Sequence, residues 1–211
     1  MSKYRYITVE GVIGAGKTTL AHLLAEKLSA KLVLEAFADN PFLAKFYENP
    51  DQFAFPVELF FMAERYKQLK DIQHTSMFEA CTVSDYMFIK SLLFAKTTLA
   101  EDEFGLYKKL FDIIHQQLIY PDLLIYLHSP VERLQRNIRQ RGRAYEQKIP
   151  DAYLASLQDT YLSYLKQHPV RTLFVDARHA DFLGRPEHLQ VILDALENDY
   201  EPGQHLVELP E

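Results

Sequence analysis

Apolar positions along the chain fall into two periods, one of strands and one of helices. Tyr6 to Glu10 (YITVE) is a short β-branched and aromatic run that stops at a glycine, and Thr18 to Leu28 succeeds it with leucines and alanines at helical spacing. The unit predicted is strand, glycine loop, helix. Lys31 to Glu35 (KLVLE) predicts a second strand, and the pairs Asn40-Pro41 and Asn49-Pro50 punctuate the stretch after it. Phe53 to Gln73 then places its apolar residues on one helical face. Cys81 to Asp85 (CTVSD) predicts a third strand, succeeded by a helix from about Met87 to Ala100. A second helix, about Glu103 to Ile119, ends at Tyr120-Pro121, because proline disfavours helical geometry in the residue before it. Leu123 to Leu127 (LLIYL) is the most strand-like run, with Ser129-Pro130 opening a helix after it. Leu173 to Asp176 (LFVD) predicts the fifth strand. Short apolar strands separated by helices imply right-handed crossovers and a parallel sheet covered on both faces, so the expected fold is a five-stranded α/β sandwich. No repeat or linker interrupts it, and the tail from Glu201 is expected to fray.

Length and composition narrow the class. With 211 residues, the chain suits a single domain spanning 1–211, and its 48% hydrophobic and 25% charged residues are those of an ordinary globular protein. Its 23 basic and 29 acidic residues give a net charge of −6, which offers no basic field to gather a nucleic acid polymer or anionic lipid. Cys81 is the sole cysteine, which excludes an internal disulfide and a multi-cysteine metal site and suits a reducing compartment. No apolar run reaches the length of a signal sequence or a membrane span, so the expected location is the cytoplasm.

The glycine loop carries the first chemistry. Gly11-Val12-Ile13-Gly14-Ala15-Gly16-Lys17-Thr18 matches G-x-x-x-x-G-K-[ST] directly after a predicted strand and before a helix. Glycines let the backbone curl until several N–H groups point inward, where they and the helix N-terminus hold phosphate oxygens. Lys17 adds a mobile charge for the β- and γ-phosphates, the Thr18 hydroxyl is placed to ligate Mg²⁺, and Thr19 completes the set; ATP and Mg²⁺ are the implied cofactors. The acceptor must be read elsewhere. No guanine-reading Asn-Lys-x-Asp exists, and Asp102-Glu103-Phe104-Gly105 does not follow a strand, which argues against a GTPase. The small size favours a small-molecule kinase over an ATPase motor.

Four separated segments, from about Tyr6 to Phe182, resemble the deoxynucleoside kinase family, especially its bacterial deoxyadenosine and deoxyguanosine kinase branch. The first is the phosphate loop. The second is Val33-Leu34-Glu35, where the resemblance makes Glu35 the base beside the substrate 5'-hydroxyl; a carboxylate there can orient the hydroxyl and take its proton. The third is Phe46-Tyr47-Glu48-Asn49-Pro50 with Glu58 and Arg65, which implies Tyr47 on the sugar 3'-hydroxyl, Glu58 at the base edge in place of the family's glutamine, and Arg65 two helical turns further on. The fourth is Arg139-Gln140-Arg141-Gly142-Arg143-Ala144-Tyr145-Glu146, similar to the family's arginine-rich lid, in which Arg139, Arg141 and Arg143 face phosphate and Glu146 is a second 3'-hydroxyl ligand. Asp181 and Phe182 fall where the family closes over the ATP adenine. The resemblance therefore implies the P-loop kinase fold, a 2'-deoxynucleoside substrate and a homodimer.

Two positions depart from the family pattern. Where the family shows an acid, then Arg, then Ser after its third strand, this chain reads Asp85-Tyr86, so Asp85 can serve the metal and substrate but Tyr86 supplies no cation; a lid arginine or Arg65 must substitute. The residue six after that acid, often aspartate in the family, is Ser91. For the base, an ionised Glu58 only accepts hydrogen bonds and matches the two adjacent donors of guanine, whereas a protonated one matches adenine. Resemblance of Asn40-Pro41-Phe42-Leu43 and Val83-Ser84-Asp85-Tyr86 to the deoxyadenosine kinase branch sets deoxyadenosine slightly ahead of deoxyguanosine. The competing readings are a monophosphate kinase of the thymidylate type, which would need basic residues near the third strand, and a catalytically idle nucleotide-binding protein.

Overall fold

The computed structural model describes residues 3–36, 40–75 and 80–210. Its centre is a parallel sheet built from β1 (Tyr6–Glu10), β2 (Lys31–Val33), β3 (Thr82–Ser84), β4 (Leu123–His128), β5 (Arg171–Asp176) and β6 (Gly203–Val207), in the order β2-β3-β1-β4-β5-β6. The helices are α1 (Lys17–Leu28), α2 (Leu43–Glu48), α3 (Pro50–Thr75), α4 (Lys90–Thr98), α5 (Glu101–His115), α6 (Val131–Arg141), α7 (Asp151–Gln167) and α8 (Pro186–Ala195). Strand β1 is buried along its whole length because sheet neighbours and helix layers close on it from every side; Ile7 and Val9 make one face apolar, while the buried Glu10 on the other accepts from the Met87 N–H and the Tyr161 hydroxyl. On one face Thr8 meets the Ser84 hydroxyl at 2.9 Å, and Tyr126 packs on Tyr161 of α7 and Phe174 of β5.

The sheet has six strands where five were expected. The extra one is β6, in the tail expected to fray: Gly203 to Val207 pairs in parallel with Arg171 to Val175. Its physical basis is a short edge alternation in which Gln204 and Leu206 face out and Val207 is buried, too brief to stand out between charged neighbours. Several boundaries also move. β2 stops at Val33, because the Glu35 N–H leaves the sheet ladder to donate to the Asp85 carboxylate at 2.8 Å. α4 starts only at Lys90, after a turn in which the Lys90 N–H bonds Met87 C=O. α5 starts at Glu101, where Glu101, Asp102 and Glu103 load the first turn with the charge its dipole favours.

Strand order reverses at β1, which lies between β3 and β4, so the crevice above their carboxyl ends is the natural ligand site. Into it run Gly11 from β1, Glu35 from β2, Asp85 from β3 and the segment after Asp176 from β5. Among the described residues no helix is long and apolar enough to cross a membrane.

Candidate active site

The loop between β1 and α1 takes the shape its glycines permit. Gly14 and Gly16 have φ of +83° and +91°, and a Cβ on Gly14 would stand 2.7 Å from the Leu134 carbonyl oxygen of α6. Asn137 of α6 donates to the Gly14 carbonyl at 2.8 Å, so loop and helix are locked together. The half-buried Lys17 ammonium donates to the Val12 carbonyl at 2.9 Å; desolvation, then repulsion from Lys90, pushes it down to about 8. An open cleft of about 1050 Å³ lies over this loop, walled by Gly14 to Thr19, the arginine face of α6 and the segment between β5 and α8 that includes Asp181 and Phe182. Gly11 and Val12 are buried beneath the loop: a Cβ on Gly11 would meet the Leu127 carbonyl at 2.7 Å, so this glycine serves close packing. Ile13 faces a second, inner cavity.

That inner cavity is lined by Glu35, Tyr47, Glu58, Arg65, Asp85 and Glu146, every residue expected at the acceptor, together with the ring walls of Phe46, Phe61 and Tyr153. The outer cleft and the inner cavity share four residues: Lys17, Thr18, Arg141 and Arg143. Thr18 donates to Asp85 Oδ2 at 2.6 Å, which brings a hydroxyl and a carboxylate together at the junction. Such hard oxygen donors suit Mg²⁺, which usually takes one or two carboxylates and completes its shell with water and phosphate. Among the described residues no group of three His, Cys, Asp or Glu forms a protein-only cage.

Glu35 is gripped from both sides. Arg65 donates from Nε and Nη2 to its Oε1 at 2.8 and 2.6 Å, and Lys90 donates to Oε2 at 2.6 Å. Burial alone would raise this carboxyl, but Lys90 and Arg65 outweigh it and hold Glu35 well below the usual carboxylate range. Arg65 also donates to the Ser91 hydroxyl at 2.8 Å, so Ser91 holds the arginine. Glu58 accepts from Thr98 at 3.0 Å on one oxygen while its other oxygen, fully buried, has no partner. Burial, against the pull of Arg65 and Thr98, raises it to about 7. Tyr47 stacks on Tyr145 with ring centroids 5.8 Å apart. Glu146 accepts from Arg141 and, at 3.0 Å, from Arg143, which ties both arginines to the wall of the inner cavity.

Several expectations are revised. Arg139 is exposed and lines neither cavity; two residues from Arg141, it emerges on another side of α6, and Arg136 lines the cleft instead. The Asp181 carboxylate accepts the Gly184 N–H at 2.8 Å, forming its own turn at the rim of the cleft. Tyr86 is completely buried and donates to Gln68 at 2.7 Å, and Gln68 donates to the Leu34 carbonyl at 3.1 Å. It braces the backbone before Glu35 in place of carrying charge. The residue not anticipated is Lys90, whose signal was a single lysine inside the apolar run Met87-Phe88-Ile89-Lys90-Ser91-Leu92-Leu93.

The family model described as deoxynucleoside kinase matches residues 7–200, a span that holds both cavities. The chain is 36% identical to the deoxyguanosine kinase of Bacillus subtilis over 87% of this chain and 91% of that one, and 31% identical to the deoxyadenosine/deoxycytidine kinase of the same organism over 77% of each. In three dimensions it resembles the deoxyadenosine kinase of M. mycoides with bound dATP, with a TM-score of 0.81 and 22% identity, covering 94% of this chain and 100% of that one. The chain belongs to the deoxynucleoside kinase family, and it is a phosphotransferase.

Proposed function

We propose that the protein transfers the γ-phosphate of ATP to the 5'-hydroxyl of a purine deoxynucleoside, with deoxyadenosine slightly ahead of deoxyguanosine, in nucleotide salvage. The observation that carries this reading is the pair of cavities meeting at Lys17, Thr18, Arg141 and Arg143: donor on one side, acceptor on the other, phosphate-binding groups between. ATP would lie along the loop, with its adenine toward Asp181 and Phe182 and its phosphates at the amides of Gly14 to Thr18. Thr18 and Asp85 would hold Mg²⁺, which when bound neutralises charge on the β- and γ-phosphates. Glu35 orients the 5'-hydroxyl and accepts its proton as the O–P bond forms, Lys17 and the lid arginines stabilise the equatorial oxygens, and Tyr47 with Glu146 hold the 3'-hydroxyl. Two groups on the 3'-hydroxyl favour the 2'-deoxy sugar.

For the base, the unpartnered oxygen of Glu58 is the reader. Raised to about 7, it carries a proton in much of the neutral population and can donate to adenine N1 while accepting from N6. The bacterial relatives named for guanine and for adenine differ in this choice, so the test is direct: incubate the protein with ATP and a panel of nucleosides and monophosphates and detect ADP. ADP with deoxyadenosine and deoxyguanosine is expected. Turnover confined to monophosphates would favour the thymidylate-type kinase, none at all an idle nucleotide-binding protein, and a thymidine preference would overturn the purine assignment.

The quaternary reading is a cytoplasmic homodimer. It is supported by α5, where Leu106, Leu110 and Ile113 are 53%, 37% and 64% exposed at i, i+4, i+7 spacing, an apolar stripe that a second copy would cover. Sedimentation should give a dimer for the wild type and a monomer for Ile113→Glu.

A further inference from the structure

We propose that Lys90 is a positioning residue of the phosphoryl transfer, acting through Glu35: its ammonium holds Oε2 so that the carboxylate presents its free lone pairs to the 5'-hydroxyl. This rests on Glu35 being the acceptor of that hydroxyl proton. The end of β3 supplies no cation, since Asp85 is followed by Tyr86, whose hydroxyl is spent on Gln68. The cation arrives instead from the first residue of α4. Lys90 is 4% exposed, reaches Glu35 at 2.6 Å and lines the inner cavity.

Neutralising Glu35 does not by itself require the arrangement. Arg65 already neutralises Glu35 with two hydrogen bonds to Oε1, so Lys90 is a second buried cation on that carboxylate, with the buried Glu10 as the further anion that attracts it. Desolvating an ammonium is costly, and its Coulombic return falls when the partner charge is already matched. Lys17 lines the same cavity, repelled by Lys90 and drawn to Glu10, Glu35 and Asp85, so the two ammonium groups stand close together at the junction. Their mutual repulsion is relieved when an anionic phosphoryl group enters there. Geometry makes the division of labour specific. Arg65 comes from α3 and takes one oxygen, Lys90 comes from α4 and takes the other, so the carboxylate is held on both oxygens, while the Glu35 N–H fixes its backbone on Asp85.

The test is a double-mutant cycle in the intact protein with ATP, Mg²⁺ and deoxyadenosine or deoxyguanosine, whichever turns over faster. Lys90→Met is expected to lower kcat about tenfold to a hundredfold with KM for ATP and nucleoside within about threefold, and Lys90→Arg to recover most of the loss. In the Glu35→Gln background Lys90→Met should change kcat less than about threefold, because the group through which it acts is gone. Thermal unfolding checks integrity, and Lys90→Gln, which keeps a donor for Oε2, is read the same way, with an expected loss of about tenfold. Unchanged kcat in Lys90→Met or Lys90→Gln, a loss that appears only in KM, or an undiminished effect in the Glu35→Gln background would overturn the proposal. Full activity of Glu35→Gln by itself would instead remove the assignment of Glu35.

Discussion

At the scale of single residues, Glu58 lines the inner cavity with one oxygen on Thr98 and the other fully buried without a partner. The groups that set its proton are Arg65 two turns along the same helix, Glu35 from the end of β2, Lys90 and Thr98 of α4, with burial the largest influence and Arg65 opposing it. Below about 7 the carboxyl is neutral and matches an amine beside an acceptor, as in adenine; above it the carboxylate matches the two adjacent donors of guanine. The ratio of kcat/KM for deoxyadenosine to that for deoxyguanosine should therefore fall as pH rises through about 7. In Glu58→Gln, which has no proton to lose, the ratio should be flat across the same range, and a wild-type ratio that does not move would exclude Glu58 as the reader. Lys17 gives a simpler expectation. Lys17→Ala should lower kcat by about a hundredfold or more, about 3 kcal/mol of transition-state stabilisation, while thermal unfolding stays cooperative, because its amine in the resting site bonds the neighbouring Val12 carbonyl of its own loop.

Elements decide which of these residues can meet, and here the sequence was legible in part. The loop after β1 carried a fixed spacing, and Glu35, Tyr47, Glu58, Arg65, Asp85 and Glu146 all reach the inner cavity, from just beyond strand ends, from the faces of α2 and α3 and, for Glu146, from the short turn after α6. Lys90 was hidden because its role depends on a turn at Met87 to Ile89 that begins α4 late, and on the closeness of α3 and α4, neither written in local periodicity. Arg139 was misjudged for a related reason: arginines at alternating positions look equivalent in a line, but on α6 Arg133, Arg136, Gln140 and Arg141 line the cleft and Arg139 does not. That face of α6 is held to the loop at Gly14, where a Cβ would strike the Leu134 carbonyl at 2.7 Å and φ is +83°. Gly14→Ala should accordingly displace α6 from the loop, raising KM for ATP at least about tenfold and lowering the melting temperature. Arg141→Ala should lower kcat about tenfold to a thousandfold with a smaller effect on nucleoside affinity, since its present partner Glu146 retains Arg143. Loss of nucleoside binding in proportion to rate would assign Arg141 to the ground state.

Across the whole molecule, the strand least visible in the sequence is connected to the rim of the outer cleft. β6 closes the sheet against β5, and beyond it the chain reaches Pro210, whose carbonyl lies 2.9 Å from His188 Nε2. The other ring nitrogen, Nδ1, accepts the Asp181 N–H at 2.9 Å, so the ring proton stands on Nε2 and is given to Pro210. His188 is completely buried, and through it the end of the chain holds the turn from Asp181 to Gly184 at the rim of the outer cleft. That turn is also held from α6, where Arg133 donates to the carbonyls of Arg178, at 3.1 Å, and of Ala180. Removing the residues after Glu201 would leave a buried imidazole N–H without its acceptor, a cost of about 1–3 kcal/mol that the turn can relieve by moving. The inner cavity shares no residue with this region, its walls coming from the segments after β1, β2 and β3, from α2, α3, α4 and α7, and from Arg141, Arg143 and Glu146. A chain stopped at Glu201 should therefore unfold at lower temperature and show KM for ATP raised about tenfold, with the deoxynucleoside KM within about threefold. His188→Phe, which keeps the packing but breaks both hydrogen bonds, should reproduce the ATP effect with the tail in place. If both substrates weaken together in both variants, the tail supports the fold as a whole and not the nucleotide rim; if neither weakens, the rim is held by Arg133 alone.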